Sequence, residues 1–302
     1  MNTLSHFLVA PAKVDAFQRL KNLVRQWDSS DACFDALERW LASSSDLLSD
    51  PVALEQIRSL FSPQFLNNTM QGFGIRKPYG YSGDFKIIDM IYTHHHSEIP
   101  EFNAWDSFFH KQAAPNAVRN RKEYFKKLIS DKMHAGTLDL LNVASGPARD
   151  LQELYAQLPD PSQLRTQCVE LDPHAIEYAS QLCQTYLQHI AFHQKNILRF
   201  QTQDRFDVVW SAGLFDYFED RIFILALKKF ATFVKPGGEI VIGNFSLENP
   251  SKNYMELLGD WYLIHRSPET MIRLALDAGF EAHQISIRSE NLGVNLFMHI
   301  QM

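Results

Sequence analysis

The 302-residue sequence predicts an α/β fold: a doubly wound, mostly parallel sheet with helices on both faces, preceded by an N-terminal helical cap. Three observations predict it. An apolar run (Leu138, Leu140, Leu141, Val143) stops at a tight turn of small residues, Ala144-Ser145-Gly146-Pro147-Ala148. About 20 residues on, a second apolar run ends in an acidic pair, Glu170 and Asp172. Before about residue 110, apolar positions recur at helical spacing rather than alternating.

In chain order, apolar positions 14, 17, 20, 23, 24 and 27 mark one helical face. Residues 31–41 and 51–61 follow the same rule, separated by the Ser/Asp-rich stretch 43–50. Residues 68–86 read as a loop, with Gly72, Gly74, Pro78, Gly80 and Gly83 close together. Helices are expected again near 85–93, 101–111 and 115–131. The core then runs through strand 138–143, strand 166–171, a helix opened by Asp172-Pro173 and reaching about Leu187, and short strands at 190–192 and 206–210. An amphipathic helix at 221–234, with Ile222, Leu225, Leu227, Phe230 and Phe233 inward, is broken by Lys235-Pro236-Gly237-Gly238 before strand 239–245. This divides the chain into a cap, 1–112, which includes the Gly/Tyr-rich loop 72–84, and a ligand-binding core, 113–302.

The strand-turn-helix-strand layout at 138–172 is that of a nucleoside site, in which an acid at the end of the second strand accepts the ribose hydroxyl hydrogens. Glu170 is the candidate, and Leu171 and Asp172 stand beside it; Asp172 can equally serve as a helix N-cap. A dinucleotide turn needs three glycines so that backbone amides approach a pyrophosphate. Here only Gly146 is glycine and Pro147 removes a donor, which favours a phosphate-free ligand and disfavours a nicotinamide dinucleotide.

Composition narrows the classes further. Net charge is −6, from 29 basic and 35 acidic residues, with no basic tract, so a nucleic-acid partner is not expected. Three scattered cysteines, Cys33, Cys168 and Cys183, point to a reducing compartment without a disulfide framework or zinc site. The opening MNTLSHFLVAPAK has no basic start or long apolar core, and no run reaches membrane-spanning length. A cytoplasmic location is therefore expected. The run His94-His95-His96 has a metal-like composition, but neighbouring histidines diverge and no acid or cysteine is near in sequence, so no metal is expected.

Three segments carry candidate acceptor chemistry. The loop Arg76-Lys77-Pro78-Tyr79-Gly80-Tyr81-Ser82-Gly83-Asp84 combines permissive backbone with amphipathic rings, as a lid over a ligand would, with Tyr79 toward a cofactor and Tyr81 toward an acceptor. The segment Ala114-PNAVRNR places Arg119 and Arg121 close together, and arginines suit a carboxylate. The segment Leu258-GDWYLIHRS brings Trp261 and Ile264, read as core, next to His265 and Arg266, read as facing a chamber.

The order of these pieces resembles the class I S-adenosyl-L-methionine (SAM) methyltransferases. The turn ASGPA stands where those proteins carry a turn like GCGPG, and the Lys-Pro-Gly-Gly turn precedes the fifth strand as it does there. The resemblance implies a Rossmann-like, seven-stranded core with SAM as cofactor. It also implies that Ala144, Ser145 and Gly146 lie under the cofactor, Asn196 and Ile197 meet the adenine, and Ser211, Ala212, Gly213 and Phe215 stand beside the cofactor, with Asp216 and Tyr217 facing the acceptor. Over roughly residues 65–302, the segments KPYGYSGDF, AVRNR, NVASGPARDL, SAGLFDYF and GDWYLIHRS are similar to bacterial synthases of hydroxy-fatty-acid methyl esters, the family that makes 3-hydroxypalmitic acid methyl ester. That similarity implies methylation of a carboxylate on a small fatty or hydroxy acid. Arg119 or Arg266, with Tyr81 or Tyr217, would hold the acid. Methylation of nitrogen or oxygen on another small metabolite, with His265 or Tyr217 as base, is the alternative, and a SAM-binding protein without catalysis is a second. Ala144, Ala148 and Glu170 depart from the commoner Gly, Gly and Asp. The sequence does not indicate an oligomeric state.

Overall fold

The computed structural model describes residues 11–28, 30–133 and 136–302. The N-terminal stretch read for a secretion signal lies largely outside them. The chain forms two compact units, and their boundary differs from a single cut at residue 112. The first unit holds residues 1–82, 95–112 and 251–262; the second holds 83–94, 113–250 and 263–302. Residues 83–94 therefore leave the expected cap, and 251–262 leave the expected core.

The first unit contains α1 (Pro11–Arg25), α2 (Asp31–Ala42), α3 (Pro51–Arg58), α4 (Pro63–Asn68) and α5 (Met70–Arg76). After α6 (Phe85–Tyr92), which belongs to the second unit, it resumes with α7 (Pro100–Lys111) and later adds a π-helical turn at Tyr254–Leu258. Ser30, Asp50, Ser62 and Thr69 cap α2 to α5 with side-chain oxygens. The core is aromatic: Trp27 stacks on Trp105 at 3.9 Å, and Phe34, Phe61, Phe65 and Phe108 meet these rings face or edge on. Buried Asp106 ties this core together by accepting the Met70 and Ser97 amides, each at 2.7 Å. Gly72 and Gly74, read as loop, lie within α5. A Cβ on Gly72 would come within 2.5 Å of Leu66 backbone, so this glycine permits α4 and α5 to touch.

The second unit begins with α6 and α8 (Ala113–Met133) and contains a seven-stranded sheet. Its strands are β1 (Leu138–Val143), β2 (Leu164–Glu170), β3 (Ile190–Gln194), β4 (Phe206–Ser211), β5 (Val234–Phe245), β6 (Ile285–Ser289) and β7 (Asn295–Gln301). They are ordered β3-β2-β1-β4-β5-β7-β6. The first five are parallel, and β7 runs antiparallel to β5 and β6. Helices α9 (Arg149–Gln157), α10 (Pro173–Leu182), α11 (Asp220–Ala231) and α12 (Pro268–Asp277) complete it. Two buried clusters cover the sheet: one built on Val209, Phe223, Phe230, Ile240 and Met298, the other on Phe125, Leu140, Leu154, Trp210 and Phe297. This is the predicted doubly wound, Rossmann-like fold with a seven-stranded, mostly parallel sheet.

Three details correct the sequence reading. The inward face of α11 is Phe223, Ala226, Leu227 and Phe230, whereas Leu225 is exposed. Lys235 to Gly238 do not end before a strand but form an irregularity inside β5, where Phe206 pairs with Val234 and Val208 with Glu239. Phe85 and Ile88, inside the expected cap 1–112, belong to the sheet unit. Among the described residues no helix is long and apolar enough to cross a membrane.

Candidate cofactor and acceptor site

Because β1, β2, β4 and β5 are parallel, their carboxyl ends share one edge of the sheet, where α/β folds bind ligands. At the β1 end the turn is unusual: Ala144, Gly146 and Ala148 have φ of 53°, 54° and 51°. Two alanines thus hold a left-handed conformation that costs an L-residue roughly 1–2 kcal/mol. A side chain on Gly146 would meet nothing within 4 Å, so the turn's outer face is open. Glu170, nearly buried at the end of β2, accepts the Gly146 amide at 3.0 Å through Oε2, and those of Leu171 and Asp172 at 2.7 and 3.0 Å through Oε1. These bonds fix the carboxylate beside the turn, while its further lone pairs retain acceptor capacity. Leu171 is 61% exposed and offers an apolar surface next to it. Asp172 caps α10 by accepting the His174 amide at 2.8 Å, as the N-cap reading had it.

The turn is braced from behind. Arg149, first in α9, forks onto Asp89 of α6, and the Tyr178 hydroxyl of α10 donates to the same carboxylate. The sequence signal for this clamp is an acid inside the apolar run IIDMIY. After β3, exposed Asn196 spends its side-chain oxygen capping 197–199 through the Leu198 amide at 2.9 Å. Ile197 is buried in the sheet core, and its neighbour Leu198 is the more exposed apolar residue.

At the β4 end, buried Ser211 is followed by half-buried Ala212 and Gly213. Asp216, 2% exposed, accepts the Phe245 amide at 2.6 Å, and burial pushes its carboxyl up to about 7 against the opposing pull of that amide, Arg121 and Arg266. Arg121, on the buried stripe of α8 with Ala117, Phe125 and Ile129, donates to Ala212 O at 3.3 Å. A cation at helical spacing within an apolar stripe was the available sequence signal for it. Nearby Asp150 is also pushed up, to about 6, by burial.

Arg266 is placed differently from the expectation. It is buried, donates to Phe215 O at 3.0 Å, Asn244 Oδ1 at 2.9 Å, Phe218 O and Asp220, and stacks over Phe223. Its guanidinium is committed to holding the β4–β5 loops together, not to gripping an acceptor. His265 makes hydrogen bonds through both ring nitrogens, to Leu263 O and the Asn249 amide, each at 3.1 Å. Ile264, read as core, is 36% exposed, and Trp261 is only half-buried. With Tyr217 and Leu247, at 44% and 57%, Ile264 gives the β4–β5 rim an apolar surface. Half-buried Arg119 donates to Asn116 Oδ1 at 2.7 Å.

Tyr79 and Tyr81 lie in the first unit, 36% and 40% exposed, on a turn closed by Gly80 N–H to Lys77 O at 2.8 Å. That turn is pinned within its own unit by Asp260, which pairs with Lys77 and Arg58 and whose carbonyl accepts from Ser82. The histidine run also gains an unforeseen neighbour: the His96 and His110 rings are 4.9 Å apart, and His110 Nε2 bonds His95 O at 2.7 Å.

Residues 140–238 match the methyltransferase domain family. The core of this chain is a methyltransferase domain. No curated protein matches the chain. Among solved structures, a possible exported protein of Bordetella parapertussis is 14% identical over 100% of this chain and 99% of its own, with a TM-score of 0.62. A candidate O-methyltransferase of Nostoc punctiforme is 14% identical over 79% and 70%, with a TM-score of 0.52. The methyltransferase NodS of Bradyrhizobium japonicum, crystallised with S-adenosyl-L-homocysteine, is 18% identical over 60% and 87%, with a TM-score of 0.43.

The residues present fit S-adenosyl-L-methionine as a ligand: Glu170 keeps acceptor capacity that a ribose would use, Leu171 is an exposed apolar residue beside it, and the open turn at Gly146 would suit a ligand without pyrophosphate. When bound, SAM supplies an electrophilic methyl on sulfur; the protein supplies binding, orientation and exclusion of water.

Proposed function

We propose that this methyltransferase transfers the methyl group to the carboxylate of a small, partly apolar acid, forming a methyl ester and S-adenosylhomocysteine. The observation that carries this reading is the β4–β5 rim, where exposed Tyr217, Leu247 and Ile264 give an apolar surface. A carboxylate is ionised at neutral pH and attacks the methyl in line, so no proton has to be removed. Arg119 is the residue proposed to orient it, with the Tyr217 hydroxyl as a second donor.

The runner-up, methylation of an amine or hydroxyl, needs a base in most cases. His265 is poorly suited to that task with both nitrogens engaged. The test is methyl transfer from labelled SAM to a panel of carboxylic acids of graded chain length, beside amines and phenols of similar size. Ester formation that improves with chain length, with a KM raised about tenfold or more in Arg119→Ala, is the expected result. Turnover of amines or phenols alone would overturn it.

A further inference from the structure

Lys77 to Ser82 and Gly259 to Tyr262 belong to two segments that stood out in the sequence, and in the first unit they meet. Asp260 joins them. Its carboxylate takes Lys77 Nζ and Arg58 Nη2, each at 2.5 Å, and its carbonyl accepts from Ser82. The loop is thus anchored at both ends, with Tyr79, Gly80 and Tyr81 arching between the anchors. Lys77 and Asp260 sit at φ of 45° and 49°, which L-residues rarely adopt. Asp260 also lies two residues past the π-helical turn Tyr254–Leu258, a geometry that recurs at functional sites. Unusual backbone at two residues that are bonded to each other points to function at the place they hold.

The cluster is short of negative charge. The Arg58 and Lys77 side chains are 28% and 26% exposed and share one carboxylate. Among the described residues, Arg58 makes its hydrogen bonds from Nη2 alone, to Asp260 and Tyr262 Oη. Its Nε is buried without a partner, whereas Nη1 reaches solvent with two N–H donors. Tyr262 accepts from Arg58 and keeps its own O–H as a donor. The next acid, Glu256, is mostly buried, and burial pushes its carboxyl up against the pull of Lys252. Two cations on one carboxylate leave a single positive charge, which matches a monoanion better than a dianionic phosphate.

The surroundings are aromatic and open. Tyr79, Tyr81 and Tyr262 are 36%, 40% and 44% exposed, and a Cβ on Gly80 would meet nothing within 4 Å. Tyrosine presents an apolar face with a polar tip. An organic acid meets both of its halves at this surface, donors for the carboxylate and rings for the body.

We propose that Arg58, Lys77 and Tyr262 form a binding site for the carboxylate of an organic monoanion whose apolar body lies on Tyr79 and Tyr81. Arg119 and Tyr217, proposed for the acceptor, take no part, so this assignment stands or falls apart from that reading.

The test is calorimetric titration of 3-phenylpropanoate, with inorganic phosphate as the second probe, into the full chain carrying Arg119→Ala, so that the proposed acceptor site does not contribute. Arg58→Met and Lys77→Met should each weaken 3-phenylpropanoate about tenfold. Asp260→Asn removes the competing charge while keeping a residue that tolerates left-handed backbone, and should tighten binding about threefold. It carries the test if Arg58→Met does not fold, and an ion pair with only a structural role predicts the opposite sign. 3-Phenylpropanoate should also slow the modification of Arg58 by phenylglyoxal, read on the Arg58 peptide by mass spectrometry. The absence of saturable binding, binding unchanged in Arg58→Met and Lys77→Met, or weaker binding in Asp260→Asn would each overturn the proposal. Phosphate bound more tightly than the acid would overturn the choice of a monocarboxylate.

Discussion

The two corners of the ligand edge are built in opposite ways. At the β1–β2 corner a single carboxylate, Glu170, is held by amides of residues 146, 171 and 172, and the turn beside it is open. At the β4–β5 corner the charged groups come from positions 121, 216, 220 and 266, most are buried, and Asp216 and Arg266 are wired to backbone of distant segments. The first corner shows how little tertiary structure is needed to present one acid. The second shows what it takes to keep several charges apart from water and from each other.

That contrast can be broken in order of expected effect. Arg266→Met should cost about 3–5 kcal/mol of stability, since it strands several buried acceptors. Thermal unfolding measures it, and a nearly unchanged Tm would show that the β4–β5 corner does not depend on this residue. Glu170→Ala should weaken SAM binding about 100-fold with a smaller effect on folding, and Glu170→Gln, which keeps one acceptor oxygen, less. Calorimetry decides, and equal behaviour of the two variants would remove the charge from the account.

The third test uses pH. The folded state keeps the Asp216 proton up to about 7, well above the ordinary carboxylate value. Between pH 4 and 7 the folded protein therefore binds more protons here than the unfolded chain, and this group lowers stability as pH rises through that window. Asp216→Asn should lose less Tm than the wild type between pH 5 and 8; parallel curves would refute the burial argument. The smallest effect is at the first corner. Ala144→Gly relieves a left-handed alanine and should raise stability by up to about 1 kcal/mol without changing cofactor affinity. A fall in Tm would mean that the alanine's methyl packing outweighs its strain.

These differences also explain what was legible in the sequence. The strands β1 and β4 were readable because nearly fully buried parallel strands are short apolar runs bounded by turns. Asp172 was readable as an N-cap because its partner, the His174 amide, is a neighbour in the chain. Arg266 was not, because its partners lie about 20 to 50 residues away and nothing local distinguishes a structural arginine from a binding one. The phase of α11 slipped by one position, since Ile222 to Leu227 is apolar almost throughout and the period alone cannot choose the inner face. Gly72 and Gly74 suggested a loop by composition, whereas a close helix-helix contact required at least the first.

The segment exchange between the units has a consequence for how the protein comes to exist. The first unit is assembled from residues 1–82, 95–112 and 251–262, so its last piece leaves the ribosome only after most of the sheet. Its aromatic core must wait, partly formed, for Tyr254 to dock on Phe108 and Phe109. Neither unit is a continuous stretch that could be cut out and expressed alone. The chain instead resembles a parcel tied with its own string, in which the final knot is made near residue 262.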